Sequence, residues 1–293
     1  MEQNIKERKK DIYWFAIVSI VLGWGIFLLI PLSGATYGDS SSLVILTVGM
    51  FTPAISSLLV RLVRKEGLAN LYLRPNLKGN VKKYLVVFFA PSLLLLLSGV
   101  IYFLLNPSKF DPSLSTFKAI YQVEEVSIFL LLFTIGQVII IGPVVNIIPT
   151  LGEELGWRGY LLPKLLQVTS QRKAVLISGF IWGFWHLPVI VMGHNYGTEY
   201  KGYPYLGIIG MIVFCMVLGI IEGYATIELN SVIPAAMIHS TINAGAALPI
   251  IMAKGNYNPL FGPTIVGLLG SIPFIVVAAY IFIKKLEPQK SKE

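Results

Sequence analysis

Residues 12–32, IYWFAIVSIVLGWGIFLLIPL, run for 21 positions without one charged side chain. A bilayer core of roughly 30 Å needs about 20 such residues in a helix, so this run reads as a membrane-spanning helix. Seven further apolar stretches follow, giving expected helices at 12–32, 43–63, 84–105, 126–152, 174–192, 205–226, 232–252 and 262–283. Only 13% of the chain is charged and 55% is hydrophobic, whereas a soluble domain is usually about a quarter charged. The expected fold is an all-α, polytopic transmembrane helix bundle of about eight helices, forming a single domain over 1–293 with no room for a separate soluble one. The basic stretch before the first run is similar to a signal peptide, but the run is long and lacks a clear small-residue cleavage site, so it reads as a retained first helix.

The net charge of +8 does not point to nucleic acid, because the basic residues punctuate apolar runs and form no single stripe. With the N-terminus inside, all 23 Lys and Arg except Lys109, Lys118, Lys201 and Lys254 fall in the N-terminus, 61–83, 153–173 and the C-terminus. The positive-inside rule then favours an even number of helices and both termini in the cytoplasm. The amphipathic basic segment 64–83 is expected to meet anionic membrane lipids. Cys215 lies in an apolar run and reads as packing. The halves show no matching broken helices, which weakens a transporter built on inverted repeats.

An ionisable group at bilayer depth costs several kcal/mol unless it is paired or hydrated, which makes each one a functional candidate. Three segments carry them. In Gly152-Glu153-Glu154-Leu155-Gly156-Trp157-Arg158, Glu154 and Arg158 are four apart and can pair on one helix face. Glu153 points about 100° away and has no obvious local partner, which suits a general base. The competing reading is a solvated helix end with one ion pair, the following 153–173 segment dropping into the interface. In Trp182-Gly183-Phe184-Trp185-His186, His186 sits about thirteen residues from the basic inner end, deep in the bilayer at roughly 1.5 Å per residue. A helical His is more often packed than catalytic, and this one is expected to find its partner on another helix. In His239-Ser240-Thr241-Ile242-Asn243, His239 and Asn243 project the same way. They could hold a developing oxyanion or simply link helices.

Together, Glu153, His186, His239 and Asn243 supply the parts for activating water. A carboxylate–His pair could deprotonate it, and His239 with Asn243 could stabilise a tetrahedral intermediate. Glu153, His186 and His239 are also residue types that could hold zinc, although no His-Glu-x-x-His helix is present. Three other residues read more plainly. Glu222 is expected to snorkel to the interface, and His194 to be solvated in an outer loop. Asn146 between Pro143 and Pro149 should kink the fourth helix.

Glu153-Glu154-x-x-x-Arg158, Trp182-x-x-x-His186 and His239-x-x-x-Asn243, in this order and on three helices, resemble the motifs of the CPBP family. That family comprises CAAX-processing proteases and bacteriocin-processing or self-immunity proteins, also called Abi. The resemblance covers roughly residues 125–250. It implies that Glu153 and His186 activate water, that His239 and Asn243 form the oxyanion site, and that Glu154 and Arg158 hold the site in shape. Trp182 stands where Phe is usual, which implies altered packing and retained activity. The resemblance leaves a glutamate-type mechanism and a metal-dependent one both open; the preferred scheme requires no cofactor. The expectation is an intramembrane endopeptidase of a bacterial plasma membrane, acting on membrane-associated peptides or protein tails and opening toward the cytoplasm. The alternatives are a non-enzymatic self-immunity or scaffold protein of the same fold, and a transporter or channel.

Overall fold

The computed structural model describes residues 2–289; Lys290 and Lys292, counted above with the basic C-terminus, lie outside them. The described residues form an all-α bundle. Its main helices are α1 (Glu2–Phe27), α2 (Ser40–Arg64, stepped at Met50-Phe51), α3 (Val81–Leu105), α4 (Ile128–Val145) and α5 (Ile147–Gly156). They continue as α6 (Gln171–Trp185), α7 (Tyr205–Leu229), α8 (Ile233–Gly245) and α9 (Ile272–Lys284). Among the described residues, six helical spans are long and apolar enough to cross a membrane: Ile5–Leu32, Ser40–Arg64, Val81–Leu105, Ile128–Val145, Tyr205–Leu229 and Ile233–Met252. The α6 segment, extended by Leu187–Val191, and the shorter apolar α9 pack with these six in a multi-pass membrane bundle.

Local chemistry sets the boundaries. Ser170 caps α6, its hydroxyl accepting from the Lys173 N–H at 3.4 Å. Ser127 does the same for α4, at 3.1 Å from the Leu130 N–H. Lys65 and Asn230 close α2 and α7 in left-handed conformation, at φ 55° and 48°. The fourth apolar run does break at Asn146, whose side chain donates to the Gly142 carbonyl at 3.1 Å. The last helix starts ten residues later than expected. Gly262, Pro263, Gly267 and Gly270 hold the stretch before Ile272 in turns.

Helix direction defines two ends. The basic end gathers the starts of α1, α3, α6 and α8 with the ends of α2, α7 and α9; the far end holds loops 33–39, 106–127, 192–204 and 253–271. The segment after α5 does not drop into an interface. It makes a π-turn at Trp157–Leu161 and a further helical turn at Leu162–Leu166, and Trp157, Tyr160, Leu161, Leu162 and Leu165 are all buried. These residues plug the basic end of the bundle. Asp11 of α1 ties the plug down, meeting Lys164 Nζ at 2.9 Å and Arg64 Nε of α2 at 2.7 Å.

Small residues bring the site helices together, as is usual where lipid supplies no hydrophobic drive. A Cβ at Gly183 of α6 would lie 2.6 Å from the Ile212 Cα of α7, and one at Gly156 of α5 would lie 2.4 Å from the Pro53 Cβ of α2. By contrast α3 and α4 present Leu85, Leu93, Phe129 and Leu132 outward, as a lipid-facing surface should.

Candidate active site

The three polar segments of the sequence meet in the middle of the bundle. Glu153 on α5, Trp182 on α6, His186 at the C-terminal end of α6, and His239 and Asn243 on α8 line one cavity of about 250 Å³. Glu153 is 2% exposed and is not without a partner: the Trp182 indole N–H donates to its Oε2 at 2.7 Å. Trp182 is the hub of the site. The Arg158 guanidinium carbon stacks 4.4 Å from its ring centre, and its ring meets that of His239 edge-on at 5.2 Å. Sequence reasoning gave Trp182 a packing role only. The indole N–H, which a Phe lacks, is the signal it passed over.

His186 finds its short hydrogen bond on its own helix, with a long contact to the Cys215 sulfur of α7 at 4.0 Å. Its Nδ1 lies 2.9 Å from the Trp182 carbonyl. A carbonyl only accepts, so Nδ1 carries the proton and Nε2 keeps the lone pair. His239 Nδ1 likewise faces an acceptor, Glu154 Oε1, at 2.9 Å, leaving its Nε2 free of that bond. Asn243 is exposed within the cavity lining and makes no hydrogen bond among the described residues.

Below the cavity lies a fully buried charge cluster. Arg158 donates to Glu154 Oε1 at 3.0 Å, the expected i to i+4 pair, and its Nη2 also meets Glu222 Oε2 of α7 at 2.5 Å. Glu222 is therefore not an interfacial acid; it is 0% exposed and serves as the second counter-charge of Arg158. A single acid in an otherwise apolar run carried that possibility, but no spacing rule connects it to a residue 64 positions earlier.

The donor set is a poor fit for zinc. Among the described residues, the His, Cys, Asp and Glu ligand atoms that gather closely enough for a metal are those of Glu154, Glu222 and His239, within 4.8 Å of one another. The set expected from sequence was Glu153, His186 and His239. Both carboxylates of the gathered set already face Arg158, and a cation there would stand against a guanidinium.

His194, expected in a solvated outer loop, belongs to the site. The His194 ring lies parallel to that of His186, 12° from coplanar at 6.1 Å; it lines the same cavity and hydrogen-bonds Tyr37. It is not a solvated loop residue. The cavity extends from Glu153 away from the basic end. Its remaining lining includes Phe27, Leu46, Met50, Val189, Met211 and Ala246, all in the halves of their helices toward the far end. Glu153 is followed by helix as far as Leu166, so it sits at mid-depth with the plug between it and the basic end.

Residues 134–245 match the family described as Type II CAAX prenyl endopeptidase Rce1-like. The chain is also similar to CAAX prenyl protease 2 of Methanococcus maripaludis, at 31% identity over 97 residues. That alignment covers 33% of this chain and 36% of the relative, so the similarity spans about a third of the relative's length. The matched segment, residues 134–245, holds all three polar motifs, so the part of the chain that carries the site is similar to Rce1-like CAAX endopeptidases.

Proposed function

We propose that this protein is an intramembrane endopeptidase that hydrolyses peptide bonds in membrane-associated peptides or protein tails. One observation carries the reading: Glu153, His186, His239 and Asn243, from three helices, line one mid-bundle cavity. Burying Glu153, His186 and His239 together costs the fold several kcal/mol, and water-activating chemistry accounts for their types.

Glu153 takes one proton from water while the His186 Nε2 lone pair accepts a hydrogen bond from the O–H that remains, and the resulting hydroxide oxygen adds to the peptide carbonyl. His239, donating from Nε2, and the Asn243 amide stabilise the resulting oxyanion. Glu154, at 2.9 Å from His239 Nδ1, is the counter-charge for an imidazolium, and Arg158 fixes Glu154 in place. Glu153 then passes its proton to the departing amide nitrogen as the C–N bond breaks. No step in this scheme uses a metal, and Arg158 balances Glu154 and Glu222, the two carboxylates gathered beside His239. Residues 125–250 form the catalytic core of one transmembrane domain spanning 1–293, in a plasma membrane, with the basic end in the cytoplasm.

Cleavage by purified protein is expected to survive treatment with a strong chelator with less than about a twofold loss; a large loss restored by added zinc would establish a metal-dependent site. Trp182→Phe keeps an aromatic ring but removes the donor to Glu153. A hydrogen bond to a charged group is worth about 1.5–3 kcal/mol. The expected result is a fall in kcat of roughly ten- to a hundredfold with little change in KM. An unchanged kcat would show that Trp182 does not position Glu153.

A further inference from the structure

We infer that the cavity admits its substrate from the extracytoplasmic face of the membrane. This inference deepens the endopeptidase reading and rests on it for the word substrate, but its geometry stands alone. From Glu153 and His239 at its floor, the cavity continues past Val189 and Met211 to His194, Ala246 and Val266, all toward the far end. In the other direction Trp157, Arg158, Tyr160, Leu161 and Leu165, each at most 3% exposed, fill the bundle.

Charge says which compartment each end faces. The far-end loops hold four of the 23 basic residues, Lys109, Lys118, Lys201 and Lys254, against Asp39, Asp111, Glu124, Glu125 and Glu199. Of the other 19, the 17 among the described residues lie at the plugged end or beside it. Basic residues next to membrane spans are retained on the cytoplasmic side, so the plugged end faces the cytoplasm and the mouth faces out. The mouth is rimmed by the half-buried Leu46, Ala246 and Val266, with His194 and Asn195 as its polar groups. Such a rim fits a peptide segment with apolar side chains emerging from the outer leaflet, as in an exported or outward-anchored polypeptide.

The test labels cysteines in right-side-out membrane vesicles with a small, charged, membrane-impermeant methanethiosulfonate. The native Cys215 is fully buried and gives the background. Glu199→Cys reports the far-end loop, Ala246→Cys the mouth, and Lys78→Cys the basic end. Glu199→Cys and Ala246→Cys are expected to react at least tenfold more than Lys78→Cys, which should react fully only after detergent opens the vesicles. Labelling of Lys78→Cys in sealed vesicles with protection of Glu199→Cys would overturn the assignment. Labelling of Glu199→Cys without Ala246→Cys, even in detergent, would overturn the open mouth. No arm needs turnover, so an inactive protein that labels as expected refutes the protease reading alone.

Discussion

Replacing Glu153 with glutamine is expected to lower peptide cleavage by at least about a hundredfold, the lower end of what a positioned general base contributes, and to leave thermal unfolding almost unchanged. The two halves follow from the same contact. The glutamine carbonyl can still accept the Trp182 indole N–H now bonded to Glu153 Oε2, so the volume and the hydrogen bond survive. The ability to hold a proton does not. Cleavage is read with a peptide library and with C-terminal Cys-aliphatic-aliphatic-X peptides, prenylated and not, since that ending is in the name of the relative. The unfolding midpoint is read in the same detergent. A midpoint lowered by many degrees with proportionate loss of activity would make Glu153 a packing residue.

Arg158→Met should have the opposite signature. Methionine fills similar space but leaves Glu154 and Glu222 facing each other without a cation, in a region where both are 0% exposed. Breaking one side of a buried ion cluster costs about 3–5 kcal/mol, which is comparable to the total stability of many proteins. The variant is therefore expected to yield little folded protein. Adding Glu222→Gln, which removes one of the uncompensated charges, should recover part of the yield and unfolding midpoint. Equal stability of Arg158→Met and wild type would mean that Arg158 is not the counter-charge of this cluster.

Much of this architecture is legible along the chain because membrane helices are written locally. Length, apolar content and flanking charge mark out α1, α2, α3 and α7 without reference to any other helix. The Glu154–Arg158 pair is legible for the same reason, since four-residue spacing decides it within one helix. Legibility fails where position depends on partners. Glu222 looks like a lone acid until α7 packs Gly219 beside the Arg158 guanidinium, 3.3 Å from where a Cβ would stand. His194 and Tyr37 are loop residues 157 positions apart, and only the packing of α1 on α6 brings them over His186. The depth of Glu153 is not legible from its apolar run, which ends at 152. The π-turn and helical turn that follow keep the chain inside the bundle for another full plug of side chains. The eighth helix was placed too early because residues 262–271 are apolar enough for a span but too rich in Gly for a helix.

The central claim is that Glu153, His186 and His239 act as one hydrolytic unit. Its most direct test is the cleavage rate of purified wild type, Glu153→Gln, His186→Ala and His239→Ala on one panel of peptides, with unfolding midpoints taken alongside. The expected result is cleavage by the wild type and at least a hundredfold loss in each variant whose midpoint stays near that of the wild type. Equal cleavage by all four proteins would contradict the claim.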